Sequence, residues 1–220
     1  MKIAIIGAGN IGGNLAKQFA LAGHTVVITF SRSNERLHKR AEQIGQGVTT
    51  ADVATAVKTS DVVVLSTGWD AIDDALQQAG NLAGKVVIDT TNQFSSSGIP
   101  NLGMTVAAYN QARMPGAKLA RMFNTLHAAY QIGVGDRLHG PVAMLYAAED
   151  KHAAEIAERL ATDAGFEPVC IGGWDMSTHI EAPDGMAFGH PYSPEVARRM
   201  VDALQSDDID LAQKLAENTK

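Results

Sequence analysis

The chain reads as a doubly wound α/β domain on three observations. Short apolar runs recur along it, helical stripes lie between them, and the first run ends in a glycine-rich turn that opens a helix. The first strand is 3–6, and Gly7-Ala-Gly9-Asn10-Ile11-Gly12 leads from it into a helix striped by Ile11, Leu15 and Phe19. Gly23 stops that helix, and 25–30 (TVVITF) is a second strand. Residues 34–44 place Leu37, Ala41 and Ile44 on one side and charges elsewhere, a surface helix closed by Gly45 and Gly47. A short strand at 48–50 and a helix at 52–58 precede 61–66, whose apolar run fits a strand buried on both faces. Helix 71–79 and strand 85–89 follow, and right-handed crossovers then place these strand C-termini on one edge.

Beyond that point the pattern predicts a helix at 109–114 and strands at 118–123 and 142–147. Asp150 caps a helix striped by Ala153, Ile156, Ala157 and Leu160, and 166–171 is the last strand. Gly172-Gly173 marks a boundary between a doubly wound domain over 1–172 and a C-terminal segment over 173–220. Residues 174–193 mix Gly, Pro, His and acids without a period. Ser193-Pro194-Glu195 starts a helix with Val196, Met200 and Leu204 on one face, and 209–216 is a last amphipathic piece.

The glycine turn carries the first chemical implication. G-x-G-x-x-G between a strand and a helix is the cradle of a dinucleotide pyrophosphate. Gly7 makes the turn, Gly9 lets backbone approach the phosphates, Gly12 permits close helix–strand contact, and the N–H groups of Asn10 and Ile11 begin the helix facing the anion. An NAD site of this Rossmann type places an acid about twenty residues further on, at the ribose 2′-hydroxyl. Here the second strand runs into Phe30-Ser31-Arg32-Ser33-Asn34, with no acid before Glu35. Ser31, Ser33, Arg32 and Arg36 are donors suited to a 2′-phosphate, so NADP(H) is the expected cofactor. The alternative for Arg32, Arg36, Lys39 and Arg40 is a solvated helix face.

Composition narrows the classes. Apolar residues are 45% and aromatics 5%, which predicts a core of Ala, Val, Ile and Leu. A net charge of −6 argues against a nucleic-acid partner, since the cations cluster only near 32–40. The single cysteine, Cys170, rules out an internal disulfide, fits a reducing, cytoplasmic compartment, and is expected as a buried thiol. No apolar run approaches the roughly twenty residues a membrane span needs.

Ligands of such sheets lie beyond the strand C-termini, where the sequence places Ser66-Thr67-Gly68-Trp69-Asp70, Thr90-Thr91-Asn92-Gln93-Phe94 and Asn124-Thr125-Leu126-His127. With Gly7 to Gly12, Gly23-His24, Ser31-Arg32 and Val87-Ile-Asp-Thr-Thr-Asn92, these motifs resemble the coenzyme F420-dependent NADP oxidoreductases and their NADPH-dependent F420 reductase-like relatives, over 1–172. The resemblance implies that Ser31 and Arg32 hold the 2′-phosphate. It also implies that Ser66, Thr67, Gly68 and Trp69 with Asn92 face the nicotinamide, that Asn124 to His127 border the acceptor pocket, and that the protein is a homodimer. The chain departs from the family at Gly68, where a proline is common, and over 174–192, where the family often has an apolar cap.

The implied activity is hydride transfer between NADP(H) and a small-molecule redox acceptor of flavin-like kind, F420 or another deazaflavin, flavin or quinone. Such chemistry resides in the cofactors, so the protein needs to position rings rather than supply a nucleophile. His127 is the candidate catalytic contact to the acceptor. An NADPH-dependent reductase of a small carbonyl or imine, and a non-catalytic NADPH-binding sensor, are the alternatives. His179, Glu181, Asp184 and His190 match no metal-ligand spacing and read as a ligand-covering or solvated loop, with no metal expected. His24 reads as a capping or packing residue, and His38, His139 and His152 as solvent-facing.

Overall fold

The computed structural model describes residues 1–31, 33–132 and 140–218. Among these, eight strands form one sheet: β1 (Lys2–Ile6), β2 (Thr25–Thr29), β3 (Thr49–Thr50), β4 (Val62–Leu65), β5 (Val86–Asp89), β6 (Lys118–Met122), β7 (Ala143–Ala148) and β8 (Glu167–Gly172). Their spatial order is β3-β2-β1-β4-β5-β6-β7-β8, and β1 to β6 are parallel throughout. The order reverses between β1 and β4, so the connections leaving these two strands part to opposite sides and open a crevice at their C-terminal ends. β7 runs antiparallel to β6, and β8 parallel to β7.

The helices are α1 (Asn10–Leu21), α2 (Asn34–Ile44), α3 (Val53–Thr59), α4 (Ile72–Ala79), α5 (Val106–Arg113), α6 (Ala128–Gln131), α7 (Lys151–Asp163), α8 (Trp174–Ser177), α9 (Pro194–Gln205) and α10 (Ile209–Glu217). Alternation along the strands assigns the two cores. Ile3, Ile5, Val62 and Val64 meet Leu15 and Phe19 of α1, Leu37 of α2 and Leu160 of α7. Ile6, Val63 and Leu65 meet Val57, Ile72 and Ala75 on the other face. Because both faces are covered, β4 is buried at every residue, which explains its unbroken apolar run.

Local chemistry starts most of these helices. Ser33, Asp52, Thr105, Asp150 and Ser193 each accept a hydrogen bond from the backbone N–H three residues on, an N-cap worth about 1 kcal/mol. The Thr105 cap explains why α5 begins at Val106, ahead of the position expected from its apolar pattern. His24 joins the end of the first αβ turn to α7. Its Nε2 lies 2.8 Å from Asp163 Oδ2, and its Nδ1 is 3.2 Å from the chain's terminal amine.

The C-terminal helices complete the second core. Met200, Val201 and Leu204 of α9 and Ala212 of α10 pack in one cluster with Leu145 of β7 and Val169 and Ile171 of β8. The apolar face of α9 is therefore satisfied within the chain. Cys170 departs from expectation, for it is exposed. It alternates with the buried Val169 and Ile171 on an edge strand, so its side chain leaves by the face those residues do not use. Among the described residues no helix is long and apolar enough to cross a membrane. Arg32 and His139 lie outside the described residues.

Candidate functional site

The crevice at the β1–β4 switch holds the glycine turn. Gly7 has φ +97°, and a Cβ there would stand 2.5 Å from the backbone oxygen of Ser66. A Cβ on Gly12 would stand 2.0 Å from the carbonyl oxygen of Gly7, so α1 can sit this close to the turn only with glycine there. Gly9 differs, because a Cβ on it would meet nothing within 4 Å among the described residues. Its missing side chain leaves free space above the loop, at the place where a phosphate needs to reach the backbone. Gly9 is also the N-cap of α1, with no side-chain acceptor for the first-turn N–H groups and no acid in that turn. Asn10, Ile11 and Gly12 thus start a helix whose positive end is left for an outside anion. A dinucleotide pyrophosphate fits this cradle.

Two further strand ends reach the same crevice. Phe30 follows β2 with φ +62°, a conformation that costs a side-chain-bearing residue about 1–2 kcal/mol, and the reversal sets Ser31 on the cleft wall. Ser31 and Arg36 line a cleft of about 710 Å³ together with Gly7, Gly9, Ser66, Thr67, Gly68 and Trp69. The Ser33 hydroxyl is committed to capping α2, where its oxygen accepts from the Arg36 N–H at 3.2 Å, while its own proton stays available for donation. Arg40 also lines the cleft and is not the solvated side chain its charge run suggests. Its Nε donates to the Ala8 carbonyl at 3.1 Å and its Nη2 to the Gly9 carbonyl at 3.3 Å.

On the β4 side, Ser66 Oγ accepts from Thr90 Oγ1 at 3.1 Å, which ties the β4 and β5 ends together. Trp69 stacks on Tyr109 with ring centroids 5.8 Å apart, and the Arg113 guanidinium lies 5.7 Å from the Trp69 ring. One wall of the cleft is fixed by this cluster. Asp70 accepts from the Ser96 N–H at 2.8 Å, which holds its carboxyl below the ordinary carboxylate range and pins the loop after β5 to the loop after β4. Phe94, on that pinned loop, lines the cleft, is half exposed, and lies 6.3 Å from the ring of Phe188.

The structure does not bring every expected residue to this cleft. Asn92 donates to the Asn124 carbonyl at 2.9 Å and accepts from Arg121 Nη2 at 3.2 Å, while Asn124 donates to the Ile180 carbonyl at 2.6 Å. Both amides serve a buried network behind the strand ends. His127 is exposed at the start of α6, beyond the cleft-lining residues.

The centre of that network is a residue the sequence pattern conceals. Arg121 is fully buried in β6, with Nη1 2.9 Å from Asp89 Oδ2 and Nε 3.4 Å from Glu181 Oε1. Asp89 also accepts from Thr91 N–H, Thr91 Oγ1 and Asn110 Nδ2. Glu181 accepts from the N–H groups of Val106 and Ala107 at 2.8 and 3.0 Å, and from Ser177 Oγ at 2.9 Å. It therefore caps α5 from a distant part of the chain and locks the 174–192 segment against the β5 and β6 ends.

Fold and cleft together define a dinucleotide-binding domain of the Rossmann type. Residues 2–93 match the family described as NADP oxidoreductase, coenzyme F420-dependent. This span contains the glycine turn, Ser31, Arg36, the Ser66–Trp69 loop and Asn92, so the family that the motifs resemble is the one found over this part of the chain. Across most of its length the chain is similar to a hypothetical protein from Sinorhizobium meliloti, at 28% identity, with 87% of this chain and 95% of that one covered and a TM-score of 0.79. It is also similar to a candidate F420-dependent NADP-reductase from Arthrobacter sp. FB24, at 27% identity, 81% and 86% coverage and a TM-score of 0.68. A reductive aminase from Aspergillus terreus, in complex with NADPH and ethyl-5-oxohexanoate, shares the fold at 22% identity and a TM-score of 0.59, over 80% of this chain and 56% of its own. These findings support an NADP-dependent oxidoreductase.

Proposed function

We propose that the protein transfers hydride between NADP(H) and a flavin-like acceptor, F420 or a related deazaflavin, flavin or quinone. One observation carries this reading: a single cleft joins the open space over Gly9, the Ser31–Arg36 end of β2 and the small residues after β4. When bound there, the nicotinamide ring would supply the hydride. The residues of the chain would bind and orient. The first-turn N–H groups of α1 would receive the pyrophosphate, and Ser31 and Arg36 the 2′-phosphate, with Arg32 of the same loop as the expected third donor. Ser66, Thr67 and Gly68 are small enough for a planar ring to lie against the β4 end, and Thr67 Oγ1 is a buried hydroxyl without a partner among the described residues.

Phe94, with Phe188 behind it, would give a planar acceptor an aromatic surface at the cleft rim and shed water from it. The test is NADPH consumption, followed by loss of the reduced nicotinamide absorbance, against F420, FMN, FAD, quinones and small carbonyls. Turnover with a flavin-like acceptor is expected. Turnover with carbonyls or imines alone, or tight NADPH binding with no turnover, would overturn the assignment.

A further inference from the structure

Taking this cleft as the seat of a nucleotide pyrophosphate, as proposed above, we infer that Arg40 is a further cationic determinant of nucleotide binding beyond the ribose-end arginines, a positioning residue for the glycine loop, and that Gly13 exists to seat it. Gly13 lies one residue past the G-x-G-x-x-G pattern, inside α1, and it is buried. It is not among the glycines of positive φ, so its backbone does not demand glycine. A helix interior disfavours glycine, and the position calls for another reason. The space around it supplies one. A Cβ on Gly13 would stand 2.2 Å from Arg40 Nη2, 2.9 Å from its Cζ and 3.0 Å from its Nε, and these three are its nearest heavy atoms.

The guanidinium held in that seat acts on the loop's electrostatics. A glycine loop presents N–H groups that attract a phosphate and carbonyl oxygens that repel it. Arg40 engages the Ala8 and Gly9 carbonyls with its Nε and Nη2 and adds a positive charge to the cleft wall beside them. Arg36 and Arg40 are four residues apart on α2 and line the same cleft, so the two cations divide the nucleotide between them. Arg36 stands with Ser31 at the ribose end, and Arg40 stands with Gly9 at the pyrophosphate.

The experiment compares dissociation constants for NADPH and NADH in wild type, Arg40→Ala, Arg40→Lys, Gly13→Ala and the Gly13→Ala/Arg40→Ala double variant, with a thermal melt of each. Arg40→Ala should weaken both nucleotides by about tenfold and leave their ratio unchanged, and Arg40→Lys should recover part of the loss. Gly13→Ala should melt no lower than wild type, because only the flexible end of an arginine has to move, yet it should lose affinity as Arg40→Ala does. In the double variant the alanine at 13 should add no further loss. Unchanged affinities in Arg40→Ala, a loss confined to NADPH, or additive losses in the double variant would overturn the inference. Failure of the wild type to bind either nucleotide would overturn the reading of the cleft itself.

Discussion

Replacing Asp89 with Asn preserves the volume of a buried side chain and removes its charge, which isolates the electrostatic part of the network. In the native fold this carboxylate has no solvent exposure and receives four donors: Arg121 Nη1 at 2.9 Å, Asn110 Nδ2 at 2.8 Å, Thr91 N–H at 2.9 Å and Thr91 Oγ1 at 2.7 Å. After Asp89→Asn the Arg121 guanidinium stays buried with Glu181, 3.4 Å from Nε, as its remaining counter-charge, and an amide N–H₂ replaces an acceptor. Breaking one side of a buried pair costs about 3–5 kcal/mol. For a chain of this size that is a fall of roughly 6–20 °C in melting temperature. Urea unfolding followed by circular dichroism and by Trp69 and Trp174 fluorescence measures it. Arg121→Met should cost a similar amount, and the double variant should cost clearly less than the sum of the two singles. A loss below about 1 kcal/mol for Asp89→Asn, or additive losses, would refute the claim that this pair holds the β5 and β6 ends together.

Gly12→Ala should destabilise the fold by about 1–3 kcal/mol or more and abolish NADPH binding, since the new Cβ meets backbone that cannot yield, whereas Gly9→Ala should leave the melting temperature unchanged and still weaken NADPH, as a titration of each variant would show. Arg36→Ala should weaken NADPH by about ten- to a hundredfold with little effect on NADH, and equal losses would remove the 2′-phosphate role. Burial holds His179 below the ordinary imidazole value, so the unfolded chain takes up the proton first as pH falls. The folded state should therefore lose stability as pH drops through the ordinary imidazole range, and His179→Gln should flatten that part of a urea-stability profile measured from about pH 7 to about pH 5.

The parts of this molecule legible in its sequence are those written in local pattern. β4 and β5 could be read because burial on both faces leaves unbroken valines, and Gly7 and Gly12 because the turn with its positive φ and the close approach of α1 to it are written within a dozen residues. What the pattern hides depends on partners far along the chain. Arg121 sits between Ala and Met in an apolar strand, and its charge makes sense only beside Asp89, thirty-two residues away, and Glu181. Glu181 looks like one more acid in an irregular loop until α5 is placed against it. The reversal of β7 carries no signal in a strand whose side chains pack equally well in either direction. The exposure of Cys170 has no local signal, because it follows from the place of β8 at the edge, which is a property of the whole sheet. Arg40 was hidden by its neighbours, since one arginine among several charges on α2 reads as surface until Gly13 is seen beneath it.

The most direct test is an equilibrium titration of the purified protein with NADPH and NADH side by side. NADPH should bind at least about tenfold more tightly, a difference of roughly 1.4 kcal/mol contributed by the donors at the end of β2. Equal affinity for the two nucleotides, or no binding of either, would contradict it.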